Sequence, residues 1–172
     1  MLKLKNISPN ARMIYNESDY YVKIKIIFEK ETLYEGVCYW NAYKNKNTLV
    51  QIGMTTPTGA IYKLICIFHA TAIHQIHTEK FIINKNIPTE TGLPLFETYF
   101  EKYQEDYYHL NEEIDFEIYV SENSITIVFS LNAASFHVSN DPIIFGFDSD
   151  NNLCYIHIRN MTLNNEGFLE QI

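Results

Sequence analysis

The sequence predicts a mainly β fold, an antiparallel barrel or sandwich of about 8–10 strands with one amphipathic helix near residues 94–107. Among the 172 residues, isoleucine occurs 23 times and aromatic residues 25 times, whereas alanine occurs only 7 times. Branched and aromatic side chains favour strands, and a shortage of alanine argues against long helices. No Gly-, Pro- or Ser-rich linker divides the chain, so we expect a single domain over residues 1–172.

The first half of the chain carries a series of strand patterns. Apolar and polar residues alternate over 20–28, and one face of this strand carries Tyr20, Val22, Ile24, Ile26 and Phe28. Further strands are predicted at 37–43 and 48–55, at 60–68 and, as a short element, at 79–83. Turn residues separate these segments, which indicates antiparallel connections.

The second half contains two hairpin patterns. Over 112–130, a two-residue loop at Glu122-Asn123 places six apolar residues on one core face, pairing Val120 with Ile125, Ile118 with Ile127, and Phe116 with Phe129. A second hairpin is predicted from 142–147 to 153–158. The connecting segment 148–152 resembles the start of a calcium loop. Leu153 stands where that loop needs glycine and Arg159 where it needs a bidentate acid, so a hairpin turn is the better interpretation.

The one helix is predicted from the spacing of aromatic residues after Pro94. They recur at intervals of three and four, which is typical of one face of an amphipathic helix, and they are Phe96, Tyr99, Phe100, Tyr103 and Tyr107. We expect this face to pack onto the sheet or to close one end of a barrel.

Composition and cysteine usage bound the class of protein. The net charge is −8, and only two of the thirteen basic residues are arginine, which argues against nucleic-acid binding. No signal-peptide pattern and no run of 18 apolar residues is present, so a membrane partner is not expected. The three cysteines, Cys38, Cys66 and Cys154, are widely spaced in apolar stretches, and we expect buried free thiols in a cytoplasmic protein.

Negative charge is concentrated in one part of the chain. Residues 90–122 contain ten acidic residues and one basic residue, whereas the remainder is nearly neutral. Glu113, Asp115 and Glu117 alternate with Ile114, Phe116 and Ile118, which predicts that the three carboxylates share the solvent face of one strand. Tyrosines lie among these carboxylates, a combination typical of protein interfaces. The predicted partner-binding residues are Glu97, Glu101, Glu105, Asp106, Tyr108, Glu113, Asp115, Glu117 and Tyr119. A solvated surface without a partner is the alternative.

We therefore expect a non-catalytic binding protein or inhibitor whose acidic, Tyr-rich face binds a basic protein partner. Bacterial immunity proteins that neutralise a toxin work on this physical logic, and the analogy rests on charge and size alone. A second hypothesis is a β-barrel that binds a small apolar ligand, because aromatic residues suit a lined cavity. No cofactor is expected.

The histidines suggest a third hypothesis. His69, His74 and His77 lie close in sequence, but nothing near them completes a zinc site, so no metal is expected. Two segments, Phe68-His69-Ala70-Thr71 and Phe136-His137-Val138-Ser139, resemble the paired tetrads of the two-histidine phosphoesterases. That resemblance implies two imidazoles on neighbouring strands acting as acid and base. Its candidate catalytic residues are His69, Thr71, His137 and Ser139.

Overall fold

The protein is described by a computed structural model. The structure describes residues 1–9, 13–16, 22–28, 36–44, 48–56, 58–68, 76–77, 81–98, 107–121 and 123–160. In chain order, its strands are β1 (Leu4–Ser8), β2 (Met13–Asn16), β3 (Val22–Phe28), β4 (Val37–Lys44), β5 (Thr48–Thr55), β6 (Ile61–Phe68), β7 (Ile76–His77), β8 (Thr89–Thr91), β9 (Leu93–Phe96), β10 (Tyr107–Glu113), β11 (Glu117–Ser121), β12 (Ser124–Val128), β13 (Phe136–Asn140), β14 (Ile143–Phe147) and β15 (Leu153–Arg159).

These strands form three open sheets. One is the pair β1-β9, the second has the order β10-β4-β5-β6-β3-β2, and the third has the order β7-β11-β12-β15-β14-β13-β8. Most neighbours are antiparallel, but β10-β4, β11-β7 and β13-β8 are parallel. The mainly β prediction is confirmed. Within the described residues no barrel closes, and the fifteen strands exceed the predicted number because several short strands were missed.

The two larger sheets share one hydrophobic core. The alternation predicted for 20–28 is confirmed where side chains are described, since Ile24, Ile26 and Phe28 are buried in that core. Contacts between the sheets include the ring of Trp40 on β4, which meets Phe129 after β12 at a centroid distance of 5.4 Å. The core therefore lies between the inner faces of the two sheets, and every second residue of each strand points away from it.

Both predicted hairpins are confirmed. In β11-β12, Val120 pairs with Ile125 and Ile118 with Ile127, as the apolar pattern requires. Phe116 and Phe129 lie just beyond the paired strands, and their rings contact each other. The second hairpin joins β14 to β15, and β13 extends it into a three-stranded meander.

The predicted helix at 94–107 is not confirmed. Its first residues belong to β9, which pairs with β1, and its last residue, Tyr107, begins β10. Phe96 is fully buried in the core as a strand residue, so tertiary pairing overrides the helical spacing at this end. Residues 99–106 lie outside the described residues. The short strand predicted at 79–83 is also wrong at 81–83, which has no regular structure, and the strand in this region is β7.

No helix found in the described part of the chain is long and apolar enough to cross a membrane.

Candidate functional site

Three of the predicted carboxylates lie where the chain passes from one large sheet to the other. β10 ends at Glu113, residues 114–116 make the crossover, and β11 begins at Glu117. Leu110 packs against the core, so Glu113 is on the outer face of the six-stranded sheet. Ile118 is in the core, so Glu117 is on the outer face of the seven-stranded sheet. We call Glu113, Asp115 and Glu117 the acidic edge.

This placement corrects the prediction that the three carboxylates share one face of one strand. The expected alternation of burial is present, because Glu113 and Asp115 are exposed whereas Phe116 and Ile118 are buried. The strand itself is interrupted at 114–116, and its two halves belong to different sheets. The carboxylates therefore wrap around one edge of the two-sheet structure.

Lys44 holds the crossover in place. Its Nζ donates to the backbone oxygen of Phe116 at 2.8 Å and lies 2.7 Å from Asp115 Oδ1. The Lys44 side chain is 17% exposed, whereas that of Asp115 is 90% exposed. The carboxylate of Asp115 thus projects into solvent while the ammonium group beneath it is largely covered.

A further carboxylate, which is not among the predicted partner-binding residues, lies beside this edge. Glu112 Oε2 lies 2.6 Å from the N-terminal ammonium group of Met1. Two residues later, the Lys3 oxygen accepts a hydrogen bond from the backbone N–H of Glu97, which is half-buried. The N-terminal residues therefore contact the segments that carry Glu97 and Glu112. No sequence pattern predicted this, because it depends on where β1 packs.

Glu117 and Tyr119 form a separate, partly covered pair. The Tyr119 hydroxyl donates to Glu117 Oε2 at 2.7 Å, and the ring of Phe81 packs on Tyr119 at 5.4 Å. Both residues are half-buried, whereas Glu113 and Asp115 are exposed. The most accessible part of the acidic edge is therefore the Glu113–Asp115 half.

The remaining predicted partner-binding residues are only partly placed. Tyr108 lies on β10 opposite Cys38, and its side chain is outside the described part. Three acidic residues of the prediction, Glu101, Glu105 and Asp106, also lie outside the described residues.

A polar and aromatic network adjoins Glu113 on the outer face of the six-stranded sheet. Gln51 Nε2 donates to Asn41 Oδ1 at 2.9 Å, and Asn41 Nδ2 donates to Asn111 Oδ1 at 2.7 Å. Beside it, the His109 ring stacks on Tyr39 at 5.0 Å. The alternation in 37–43 could have predicted the outward side chains of β4. Their contacts with His109 and Asn111 depend on the parallel pairing of β10 with β4, which no local pattern indicates.

The structure describes only part of the two histidine tetrads. Phe68 is the last residue of β6 in the six-stranded sheet, and the tetrad that begins there continues outside the described residues with His69 and Thr71. His137 and Ser139 lie on β13 in the seven-stranded sheet, on the face opposite the buried Val138. The position of His69 relative to His137, on which the phosphoesterase resemblance depends, therefore lies outside the described residues.

His137 is held by hydroxyl groups inside the fold. It is 3% exposed, its Nε2 is hydrogen-bonded to the Tyr155 hydroxyl, and its Nδ1 lies 3.4 Å from Thr89 Oγ1. Burial lowers the pKa of His137 below its ordinary value, because the charged imidazolium loses solvation. These contacts suit a neutral imidazole, which can donate a hydrogen bond through one ring nitrogen and accept one through the other.

The 148–152 segment is the predicted hairpin turn. The carboxylate of Asp148 accepts hydrogen bonds from the backbone N–H groups of Asp150 and Asn152 and from the side chains of Asn132 and Asn152. A carboxylate that is saturated by donors in this way stabilises a turn. Among the described residues, no three His, Cys, Asp or Glu side chains come together as a metal site.

The cysteines are buried free thiols, as predicted. Burial raises the pKa of Cys38 to about 12, raises that of Cys66 as well, and together with the charge of Asp148 raises that of Cys154 to about 11. Each thiol therefore stays protonated near neutral pH, which is typical of packing residues.

The chain matches no protein-family model, and no curated protein matches it significantly.

Proposed function

We propose that this is a non-catalytic binding protein whose acidic edge binds a basic protein partner. The observation that supports this most directly is the exposure of Glu113 and Asp115 at the sheet crossover, inside a segment, 90–122, that carries all of the chain's excess negative charge. An inhibitor, such as an immunity protein that neutralises a basic toxin, would bind its target through such a surface.

The geometry suits recognition by charge. The backbone beneath Asp115 is fixed by the Lys44 bond to the Phe116 oxygen, so the exposed carboxylate is presented from an anchored segment. A carboxylate on a fixed backbone loses less conformational entropy when a partner binds. A concentrated negative patch also raises the rate at which a positively charged partner encounters it. Electrostatic complementarity of this kind raises the association rate more than it raises the final affinity.

The environment of His137 favours binding over catalysis. A general acid or base must reach a substrate proton, whereas both ring nitrogens of His137 contact hydroxyl groups of the fold. The apolar-ligand hypothesis depended on a closed barrel, and the described strands form open sheets.

In the test, the chain is immobilised and the basic protein that it retains from a cell extract at low salt is purified. The association rate of that protein with the chain is then measured by titration. Glu113→Lys is compared with Asp150→Lys, an equally large charge change at an exposed residue of the β14-β15 turn. We expect Glu113→Lys to lower the association rate about tenfold at low salt and Asp150→Lys to change it little. The rate should also fall with salt, because the Debye length shortens from about 10 Å at 0.1 M to about 3 Å at 1 M. Retention of no basic protein, or equal effects of the two variants, would contradict the proposal.

A further inference from the structure

The open side of β10 is the feature that carries a further inference. β10 is the outermost strand of the six-stranded sheet, and its seven residues pair one for one with β4 without a bulge. None of the described strands pairs with its other side. A regular outer strand of this kind presents a row of backbone donors and acceptors that another strand can complete.

The pairing with β4 identifies which residues face the open side. The backbone N–H of Ile114 donates to the Tyr43 oxygen, so residues of the same parity on β10 direct their backbone groups toward β4. In a parallel pair, alternate residues point their backbone groups to opposite sides of the strand. The backbone groups of His109, Asn111 and Glu113 therefore point to the open side, and all three residues are exposed.

The sequence of β10 lacks most of the devices that usually protect an outer strand, and its charged residues, Glu112 and Glu113, lie only at its end. It contains no proline, glycine or lysine, and it is longer than the other outer strands of the two large sheets, which have two, three and four residues in β7, β8 and β2. Proteins normally keep such edges short, bulged or marked with lysine or proline. A seven-residue regular edge without these features is suited to strand addition.

The charge beside the edge indicates what kind of strand is added. Glu113 lies at the end of β10, and the exposed Asp115 follows it. If a second copy of this chain paired through the same edge, its own β10 would bring the same carboxylates to the shared sheet. Like charges on neighbouring strands repel, so a second copy is disfavoured. A strand with lysine or arginine side chains would place positive charge near Glu113 instead.

We propose that the open edge of β10 receives an extended, Lys- or Arg-rich segment of the partner as an added strand. This inference rests on the proposed function, because it specifies how the basic partner is held. Backbone hydrogen bonds to His109, Asn111 and Glu113 supply the pairing, and the acidic edge supplies selectivity for basic side chains.

The experiment uses an acetylated and amidated peptide of alternating lysine and valine as the probe, with binding measured by fluorescence anisotropy. Glu113→Ala and Glu113→Pro form a matched pair, because both remove the carboxylate and only proline removes the outward N–H group. Proline is tolerated on the solvent side of an outer strand. We expect Glu113→Ala to weaken binding a few-fold and Glu113→Pro to weaken it by about a further tenfold.

A second measurement uses the unmodified protein and a peptide of the same sequence in which every backbone amide is N-methylated. Its result does not depend on whether Glu113→Pro folds. We expect this peptide to bind at least about tenfold more weakly than the probe. Strand addition is overturned if the methylated peptide binds equally, if the probe does not bind, or if a folded Glu113→Pro protein matches Glu113→Ala.

The outcomes separate this inference from the proposed function. If Glu113→Ala and Glu113→Pro are weakened equally relative to the unmodified protein, charge recognition stands and strand addition fails. If Glu113→Ala binds the probe as the unmodified protein does, the acidic edge is not the recognition surface and the proposed function fails as well.

Discussion

The phenol ring of Tyr155 lies directly over Gly146 on the neighbouring strand. Gly146 on β14 pairs with Tyr155 on β15 and, on its other side, with His137 on β13. Because Gly146 has no side chain, the ring crosses β14 and its hydroxyl reaches His137 Nε2. The ring of Phe81 then covers Tyr155 at a centroid distance of 5.2 Å. One glycine thus permits a buried polar contact on the outer face of the seven-stranded sheet.

Gly146→Ala is expected to destabilise the protein by about 1–3 kcal/mol, because its new methyl group would overlap the Tyr155 ring, which is held by Phe81 and His137. Gly53→Ala is the matched control. Its methyl group would lie 2.8 Å from the ring of Tyr62, which is half-buried whereas Tyr155 is buried, so we expect Gly53→Ala to cost less. Urea unfolding measures both. A Gly146→Ala variant as stable as the unmodified protein would show that the ring is not fixed over the glycine.

The pH dependence of stability should contain a contribution from His137. Burial lowers its pKa in the folded protein below the unfolded value near 6.5, so the unfolded state binds more protons as the solution is acidified. The contribution is complete above that unfolded pKa and is lost as the pH falls below it. His137→Gln should therefore flatten the fall in unfolding free energy between about pH 7 and pH 5. Parallel curves for the two proteins would contradict a buried neutral imidazole at this position.

The correctly predicted strands are those that local sequence patterns are sufficient to indicate. The segments at 37–43, 48–55 and 60–68 alternate or run apolar between turn residues, and each matches an observed strand to within a residue or two. The hairpin register followed from requiring all its apolar residues to face one core. Here the local and tertiary preferences agree.

The predictions that failed concern segments whose structure depends on pairing with distant parts of the chain. β10 takes its place beside β4 by a parallel pairing across more than sixty positions of sequence, which no turn signal can indicate. The same pairing places Glu113 and Glu117 in different sheets, although apolar and acidic residues alternate without interruption between them in the sequence. The residues of the acidic edge were predictable as acids that point away from the core, but their arrangement around an edge was not.

Asp148 should contribute stability that disappears in acid. Burial of Asp148 alone would raise its pKa, but the hydrogen bonds from Asn132, Asn152 and the backbone of the turn outweigh that effect and lower the pKa below its ordinary value. The stabilisation is therefore present above the unfolded pKa and is lost as the pH falls through the folded pKa. Asp148→Ala should cost about 2–3 kcal/mol at neutral pH, as judged by urea unfolding. Asp150→Ala, on the same turn but exposed, is the control and should cost little; equal losses would contradict the assigned role.

Lys44 is expected to stabilise the sheet crossover through the Phe116 oxygen more than through Asp115. Lys44→Met keeps the apolar stem but leaves the carbonyl without its donor, which should cost about 1–2 kcal/mol. Asp115→Ala should cost less than about 0.5 kcal/mol, because an ion pair with a 90% exposed carboxylate is screened by water. The double variant, unfolded in urea beside the two single variants, measures the coupling between them. A small coupling is expected, since most of the Lys44 effect does not pass through Asp115. If Asp115→Ala costs as much as Lys44→Met and the coupling is large, the ion pair holds the crossover, and charge changes at the acidic edge would then alter its conformation as well as its charge.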